Sequence, residues 1–423
     1  MSRKIFYGWI LVAGFWFIYG ALVGFPTFAP PIINAYIVDD LHLKRETLAK
    51  IMGSYTLAAG LLAPAASFLT RRYGSRVCLL IYSGVMLGTC LALALLAGSA
   101  VHLAMCYVLL SASTTGCIVA TQTAVARWFA RYRAAAMAAV LSGVAILGTA
   151  MTALLPRLVA GSWRNGWWLG AGAAIIAGIL AWLMVRDSPE QLGLHADGMD
   201  QAPADRTAGR AARVHQTTER WTSAAAIRTP AIWLIIALTN ASLIAQSMFF
   251  AHSVVHLRDL GFPAATATLV ISAFAFSTLP GKILTGAVGD RIEPRLLQGL
   301  SFAMLGAGFL LLLHPTHVLA LLCSGALVGM SIGMQSVCEP LLVSNYYGPA
   351  AFPVLSGLRA FVTAPLGAIL STLAGRWFDR TGSYQIAFTG TASICIVAAL
   401  AFVLFVRPPR AAASEPEPQR CSR

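Results

Sequence analysis

Three ionisable side chains, Lys282, Glu339 and Arg359, lie inside long apolar stretches of the sequence. On insertion scales, a charge near the centre of a membrane span costs roughly 2.5–3.5 kcal/mol, so such a residue usually faces a cavity or a partner. Two cations at one depth would clamp a carboxylate, and arginine can bind that group through two hydrogen bonds. We therefore predict that Lys282 and Arg359 bind a small organic anion.

Each of the three also has a structural interpretation. Lys282 precedes Asp290 by eight residues, which places it about 12 Å inside the helix end at 1.5 Å per residue, a long reach for a lysine extending back to the interface. Arg359 is expected about seven residues into its span, at a similar depth. Glu339 is either a proton carrier or the ion-pair partner of a cation. The ion pair is favoured, because such pairs are common inside helix bundles.

Other polar side chains in the spans are candidates for lining a substrate path. Amides, hydroxyls and histidines in a helix bundle more often bridge helices than bind a ligand, so helix packing is the alternative for each. The candidates are Thr278, Tyr55, Asn240, Gln335, Gln122, Gln246 and His252.

The composition indicates that much of the surface of this protein faces lipid rather than water. The chain has 423 residues, of which 58% are hydrophobic and 11% are charged, whereas soluble domains carry roughly 25% charged residues. The net charge of +14 comes from basic residues in short clusters between apolar stretches, a pattern typical of membrane orientation signals rather than nucleic-acid binding. The eight cysteines have no C-x-x-C spacing, so neither a disulfide framework nor a zinc site is predicted, and no cofactor is expected.

Twelve apolar stretches each approach the length of about 20 residues that a membrane span needs. The first begins too close to the N-terminus and runs too far to be a cleaved signal, so it is expected to be a spanning helix. The stretches lie near residues 7–30, 47–69, 77–97, 102–126, 134–158, 166–185, 230–257, 264–287, 296–313, 318–343, 352–376 and 384–406. The expected fold is an all-α membrane protein with twelve transmembrane helices.

A polar, charged segment divides the spans into two sets of six. We predict an N-terminal six-helix bundle at residues 1–186, a cytoplasmic linker at 187–228, a C-terminal six-helix bundle at 229–410 and a disordered tail at 411–423.

The short loops predict the orientation of the chain. If the spans alternate, basic residues concentrate on the side that carries both termini, and the opposite side has few. The residues of that basic side include Arg3, Lys4, Arg71, Arg72, Arg76, Arg127, Arg131, Arg133, Arg407 and Arg410. By the positive-inside rule both termini are cytoplasmic, and the expected location is the inner cell membrane.

The two halves also repeat each other. The basic loop at Arg71 returns at Asp290, 219 residues later, and the Gly-Ser-Trp sequence ending at Trp163 returns as Gly-Ser-Tyr at Tyr384, 221 residues later. Two landmarks with nearly equal offsets indicate an internal duplication of a six-helix unit, which gives two pseudo-symmetric bundles.

The duplicated loop resembles the G-x-x-x-D-R-x-G-R-R signature of the major facilitator superfamily, and the resemblance extends over essentially the whole chain. The second copy matches at Gly286, Asp290, Arg291 and Arg295. The first copy matches at Arg72, Gly74 and Arg76, but has Ser67 for the glycine and Arg71 for the acid. The resemblance implies that these loops help to close the cytoplasmic face, and the altered first copy weakens that expectation for its half.

Further details are similar to the monocarboxylate-transporter and oxalate:formate-antiporter group. These are Tyr7-Gly8-Trp9, Arg127-Trp128-Phe129 and Gly281-Lys282. The resemblance implies a secondary active transporter of small organic anions that works by alternating access. Thr278 stands where proton-coupled members often carry an acid or amide, and threonine carries no proton at neutral pH. The coupled ion is therefore left open between protons (symport) and a counter-anion (exchange).

Two other functions were weighed against anion transport. A drug or cation exporter of the same fold would use a buried acid, for which Glu339 is the candidate. A membrane enzyme or sensor is disfavoured, because the sequence has no nucleophile–base pair, metal cluster or phosphate loop. The expected partners are a small anionic substrate, the lipid bilayer, and protons or a counter-anion, without nucleic acid.

Overall fold

The structure, a computed structural model, describes residues 6–198, 214–219, 221–313, 317–381 and 384–409. It is built of helices, which in chain order are α1 (Tyr7–Tyr19), a π-helical turn (Gly20–Gly24), α2 (Phe25–Asp40), α3 (Arg45–Leu95), α4 (Ala100–Trp128), α5 (Arg133–Val159), α6 (Arg164–Met184), the short α7 (Ser223–Ile227), α8 (Pro230–Asp259), α9 (Ala264–Val288), α10 (Pro294–Leu313), α11 (Val318–Thr381) and α12 (Tyr384–Leu404).

Two helices are too long for one crossing. α3 has 51 residues and α11 has 64, whereas a bilayer core of roughly 30 Å needs about 20. Each reverses at one glycine with a positive φ, Gly74 at 82° and Gly348 at 72°, in a region that is essentially restricted to glycine. We call the halves α3a (residues 45–73), α3b (75–95), α11a (318–347) and α11b (349–381).

Dividing these two helices gives the expected number of crossings. The described part of the chain holds ten apolar helical stretches long enough to span a membrane, of which Lys50–Leu95 and Val318–Pro365 each contain one of the reversals. Ten stretches with two of them double make twelve crossings. The twelve-helix fold class is confirmed, and an even number of crossings returns both chain ends to the same face.

The first crossing is longer than its sequence predicts. It was expected to end near residue 30, but α1, the π-helical turn and α2 continue the helix to Asp40. The expected end was wrong because Pro30 and Pro31 lie inside α2 without breaking it. In a membrane bundle, neighbouring helices and local π adjustments make up for the hydrogen bonds that proline removes.

The apolar core has two parts. Among the described residues, one buried cluster runs from Leu11 to Val185, with Val337 packed into it, and the second runs from Trp221 to Val406. The chain boundaries of the two bundles and of the linker remain predictions. The tail at 411–423 lies outside the described residues, as do residues 199–213 of the linker.

One face of the protein carries the two glycine reversals, and we call it the linker face. It consists of the Gly74 and Gly348 turns, the loops 129–132 and 289–293, and residues 185–198. The last of these form two short 3₁₀ turns directly after α6. The hydroxyl of Tyr7, at the start of α1, donates to the carbonyl of Met184 at the end of α6 at 2.8 Å.

The internal duplication is visible in equivalent hydrogen bonds. Arg76 Nη2 donates to the carbonyl oxygen of Trp182 at the end of α6 at 2.7 Å. Arg295, its counterpart 219 residues later, donates from Nη1 to the carbonyl oxygen of Val406 after α12 at 3.2 Å. Each bundle therefore ties the turn after its second crossing to the end of its sixth.

The bundles meet near the linker face through two equivalent contacts of small residues. A Cβ atom at Gly357 in α11b would lie 2.1 Å from Ser67 Oγ in α3a, and a Cβ atom at Gly286 in α9 would lie 2.5 Å from Ala138 Cβ in α5. The residues of the second contact are related to those of the first by the 219-residue offset. Close approach of helices through small residues is typical of membrane bundles.

The two glycine reversals allow a matched stability test. A Cβ atom at Gly348 would meet Thr217 Cγ2 at 3.6 Å, an ordinary contact, so Gly348→Ala carries the backbone penalty alone, about 1–3 kcal/mol. A Cβ atom at Gly74 would also lie 2.5 Å from Asp187 Oδ2. We expect Gly74→Ala to lower the melting temperature of the purified protein further than Gly348→Ala. In an Asp187→Ala background, Gly74→Ala and Gly348→Ala should lower the melting temperature by similar amounts. If the difference between them persists there, the clash with Asp187 is not its cause.

Candidate functional site

The centre of the candidate site is an ion pair between α11a and α11b. Arg359 Nη1 lies 2.6 Å from Glu339 Oε1, and the two side chains are 29% and 15% exposed. The helices on either side of the Gly348 turn therefore bring the acid and the base together from positions 20 residues apart. A charge pair inside a span neutralises both groups where hydration is restricted.

The ion pair faces the N-terminal bundle. Tyr19, a buried residue at the end of α1, lies beside the side chain of Gln122 in α4 and interacts electrostatically with Arg359. Tyr19 adjoins the π-helical turn, and such turns are frequent at functional sites because they change the face that a helix presents. Residues from both bundles thus form one polar group around Arg359.

Lys282 reaches across the boundary between the bundles. It lies on α9, is partly buried, and donates from Nζ to the carbonyl oxygen of Leu141 in α5 at 3.1 Å. The ammonium group therefore has a protein acceptor when the bundles are in contact at the linker face. Separating the bundles there would release it.

The two predicted anion ligands lie at different distances from the ends of their helices. Lys282 stands six residues before the end of α9 and Arg359 ten residues after the start of α11b, which corresponds to about 9 and 15 Å at 1.5 Å per residue. The expected similar depth of the two cations remains a prediction. The two cations bind different partners in this conformation, and their joint role in binding an anion remains a prediction.

The candidate lining residues make hydrogen bonds within their own bundles. Tyr55 donates to Thr114 Oγ1 at 3.3 Å, Asn240 to the carbonyl of Ile236 at 2.6 Å, Gln246 to Ser242 Oγ at 3.0 Å, Thr278 to the carbonyl of Ala275 at 2.8 Å and Gln335 to Ser331 Oγ at 2.9 Å. Tyr55 therefore bridges two helices, whereas the other four side chains bond within their own helices, and a role of these residues in lining a substrate path remains a prediction. The side chain of His252 lies outside the described part of the chain.

A glycine repeat positions the helix that carries Lys282. Gly325, Gly329 and Gly333 of α11a face α9, and Cβ atoms there would lie 2.0–2.4 Å from the carbonyl oxygens of Val270, Phe274 and Thr278. Any larger residue in this stripe would push α9 away. The repeat is a packing device, as the small-residue spacing predicts.

Asp290 joins the bundles at the linker face. Its two carboxylate oxygens accept hydrogen bonds from the backbone N–H groups of Ala134 at 2.8 Å and Ala135 at 3.2 Å, in the first turn of α5. An anion at a helix N-terminus satisfies unpaired donors and interacts favourably with the helix dipole. Of the other residues predicted to act in gating, Arg72 and Arg291 are exposed.

The first copy of the loop lacks an equivalent contact for two reasons. Arg71 stands in place of the acid, and the residue equivalent to Ala134, 219 positions later, is Pro353. Proline has no backbone N–H to donate. The acid and its donor are thus both missing from that half, so the hydrogen-bonded contact exists in one of the two symmetric positions.

Arg133 is a buried inter-bundle residue that was not predicted as part of the site. Its guanidinium donates to Asn345 Oδ1 in α11a at 2.7 Å and to the carbonyl oxygens of Phe129 and Ala126 at 2.9 and 3.2 Å. The sequence signal was its position at the start of an apolar helix, but its partner is 212 residues away.

Asp197 of the linker was also not predicted. Its carboxylate accepts hydrogen bonds from the backbone N–H groups of Ala130, Arg131 and Tyr132 at 2.7–3.3 Å. Together with Asp290 it surrounds the start of α5 with two acids, one from the linker and one from the second bundle. Arg133 interacts electrostatically with both.

These features define a class of protein: two duplicated six-helix bundles with a charged polar group between them and a contact that closes one face. A sequence model of the Major Facilitator Superfamily matches residues 10–372. The chain therefore belongs to this family of multi-pass membrane transporters.

Similar proteins agree with this assignment. Monocarboxylate transporter 13 of Bos taurus is 24% identical over 412 residues, covering 91% of this chain and 88% of its own length. The protein of the same name from Rattus norvegicus is 24% identical over 393 residues, covering 90% and 85%.

Two solved structures share the fold. A proton:xylose symporter bound to 6-bromo-6-deoxy-D-glucose superposes with a TM-score of 0.71 at 14% identity, covering 96% of both chains. The E. coli fucose:proton symporter gives a TM-score of 0.70 at 11% identity, covering 94% of this chain and 98% of its own. At these identities the likeness concerns the fold alone.

The contact of Asp290 with α5 should depend on pH. Burial raises the pKa of Asp290 from its ordinary value of 3.8 to about 6, although the two backbone hydrogen bonds act in the opposite direction. When the linker face is closed, Asp290 takes up a proton as the pH falls through about 6, whereas a hydrated Asp290 in the open state stays ionised down to its ordinary pKa. The closed state therefore binds more protons in this range, and acidification stabilises it. We expect protection of the Ala134 and Ala135 amides from hydrogen exchange to rise between neutral pH and the ordinary pKa of an aspartate, after correction for intrinsic exchange rates.

Two variants test whether Asp290 causes this pH dependence. Asp290→Asn keeps a neutral acceptor, so its protection should no longer change with pH over this range. Asp290→Ala should reduce the protection at every pH. The same pH dependence in Asp290→Asn as in the wild type would assign it to another group.

Proposed function

We propose that this protein is a secondary active transporter of small organic anions, mono- or dicarboxylates, that works by alternating access of its two bundles. The observation that carries the proposal is the Glu339–Arg359 ion pair, which faces Tyr19 and Gln122 across the boundary between the bundles. A buried arginine whose counter-ion is a protein carboxylate has the geometry to exchange that carboxylate for one on a substrate. The names of the similar Bos taurus and Rattus norvegicus proteins support a carboxylate substrate.

In this mechanism the substrate carboxylate displaces Glu339 from Arg359. Arg359 presents a planar pair of donors that a carboxylate of either origin fits. Tyr19 and Gln122 supply a hydroxyl and an amide from the opposite bundle, so an anion at Arg359 contacts both bundles at once. A ligand held between two bundles favours the states in which they close around it.

Lys282 supplies the second cation when the linker face opens. In the conformation described here its ammonium donates to the carbonyl of Leu141 in the other bundle. Opening the face breaks this bond and leaves a desolvated cation at the boundary, which an anion neutralises at a lower cost than water can at this depth. The lysine therefore links the position of the bundles to the affinity for the anion.

Glu339 provides a means of coupling transport to protons. A proton on Glu339 removes the charge that competes for Arg359, and an anion on Arg359 removes the cation that keeps Glu339 ionised. Each event favours the other, which is the thermodynamic requirement for symport. Without a proton on Glu339, the incoming anion must displace the ionised carboxylate, and the exchange of one anion for another is favoured.

The alternative of a drug or cation exporter is less well supported. It depends on Glu339 as a free acid in the pocket, but that carboxylate is already paired with Arg359. A cationic substrate would have to separate this pair and leave Arg359 without its counter-ion.

We further propose that the linker face is cytoplasmic and that the protein resides in the inner cell membrane. The basic side chains of the described residues on this face include Arg71, Arg72, Arg76, Arg127 and Arg131. Lys or Arg in short loops is retained on the cytoplasmic side during insertion. Both chain termini would then be cytoplasmic.

The central prediction concerns the two cations. In proteoliposomes we expect uptake of labelled lactate, formate or oxalate, and we expect Lys282→Ala and Arg359→Ala each to reduce it by about tenfold or more, since each removes a charged hydrogen-bond donor. Arg157→Gln, which removes an exposed cation on the opposite face, serves as the matched control. Normal transport by both alanine variants, with the protein folded, would make the cations structural.

A second prediction separates the two modes of coupling. Glu339→Gln removes the competing charge while keeping the side-chain shape, so we expect a lower KM for the anion in exchange assays. The same variant should lose accumulation driven by an inward proton gradient. If Glu339→Gln loses both exchange and gradient-driven uptake, Glu339 is needed only to hold Arg359 in place. If the variant still responds normally to the proton gradient, another group carries the proton.

A further inference from the structure

A basic cavity lies on the linker face, away from the polar group between the bundles. It has a volume of about 570 Å³ and is lined by His215, Arg295, Val403, Leu404, Arg407, Pro408 and Pro409. Neither arginine forms an ion pair with another described residue. Glu293 is close to this cavity, and both of its carboxylate oxygens accept from neutral donors: the Tyr346 hydroxyl at 3.1 Å, and at 2.8 Å the backbone N–H of His215, which lines the cavity.

The N-terminal bundle has a carboxylate at the equivalent position. After α6 the chain reads Val185-Arg186-Asp187, and after α12 it reads Val406-Arg407-Pro408, with both valines buried. Asp187 Oδ1 accepts the backbone N–H of Arg76, next to the start of α3b, at 2.9 Å. Proline replaces this aspartate in the second copy, so the second bundle keeps the arginines and lacks the carboxylate.

The cavity opens at the edge of the apolar, lipid-facing surface. Leu300 of α10 and Leu400 of α12 are exposed on adjacent helices, and Val403 and Leu404 continue this surface to the cavity itself. The first turn of α10 adds the partial positive charge of a helix N-terminus at Arg295. A ligand that fits has an anionic group at the depth of the arginines and hydrocarbon chains along the two leucines.

We propose that this cavity binds the headgroup of an anionic phospholipid, whose phosphate takes the place that Asp187 fills in the N-terminal bundle. Basic pockets between transmembrane helices are suited to such headgroups. The lipid would hold the end of α12 against the start of α10, as Asp187 holds the end of α6 against the start of α3b.

The test uses the full-length protein purified in detergent and titrated with phosphatidylglycerol or phosphatidylcholine, with the melting temperature and bound lipid measured at each step. We expect phosphatidylglycerol to bind and stabilise, and phosphatidylcholine to do so weakly. Arg407→Gln should weaken phosphatidylglycerol binding about fivefold, the loss expected for one basic charge at a membrane surface. Arg186→Gln, the same change at the equivalent position of the other bundle, is the matched control and should leave binding unchanged.

A second variant keeps the proposal falsifiable if Arg407→Gln proves unstable. Pro408→Asp supplies the carboxylate that the N-terminal bundle already has, so it should abolish the response to phosphatidylglycerol while the lipid-free protein stays folded. Retention of wild-type binding in either variant would overturn the proposal.

Two other occupants are distinguishable. Inorganic phosphate that produces the same stabilisation and displaces phosphatidylglycerol would assign the site to a soluble phosphate. A protein that ignores lipid and loses stability when residues 411–423 are removed would assign the cavity to the chain's own tail, which contains Glu415 and Glu417. Either result would overturn the assignment to a lipid.

Discussion

A charge in the hydrocarbon core must find its partner within the protein, and this requirement organises the boundary between the two bundles. Arg359 forms an ion pair with Glu339, Lys282 donates to the carbonyl of Leu141, and Arg133 donates to Asn345. The first pair is internal to one bundle, whereas the other two connect the bundles. Moving the bundles apart therefore leaves Lys282 without its acceptor. Arg133 would lose Asn345 but keep the carbonyls of Phe129 and Ala126 in its own bundle, and Arg359 would keep Glu339. An anion that enters from the open side thus meets Lys282 in the states in which that ammonium lacks its protein acceptor.

The duplication is preserved in packing and altered in charge. The small-residue contacts and the arginine-to-carbonyl bonds recur at the expected offsets, because both bundles must pack in the same way. The acids do not recur: Asp290 has Arg71 as its counterpart, and Asp187 has Pro408. Each bundle thus carries one acid that the other lacks. The two bundles therefore share one packing pattern but differ in the placement of charge at the linker face.

The sequence was sufficient for the fold and for the three charged residues inside the apolar spans. Apolar length and the repeated loop determine twelve helices in two sets, and insertion cost alone singles out Lys282, Glu339 and Arg359. The sequence could not predict the partner of Lys282, because that partner is a backbone carbonyl and every residue has one. Likewise, nothing local to Arg133 indicates Asn345, which the fold alone brings to it.

The π-helical turn at Gly20–Gly24 fixes the register of the first crossing. A π turn holds one residue more than an α turn, and one residue corresponds to a rotation of about 100° around a helix axis. Tyr19 and the segment that follows are therefore presented on faces that a continuous α-helix of the same length would not present together. Removing one residue here would leave the composition and the hydropathy of the span almost unchanged, yet it would turn one end of the crossing against the other. Chain length at this point, rather than the chemical nature of any one side chain, is thus what keeps Tyr19 beside Gln122 while α2 remains packed against its bundle.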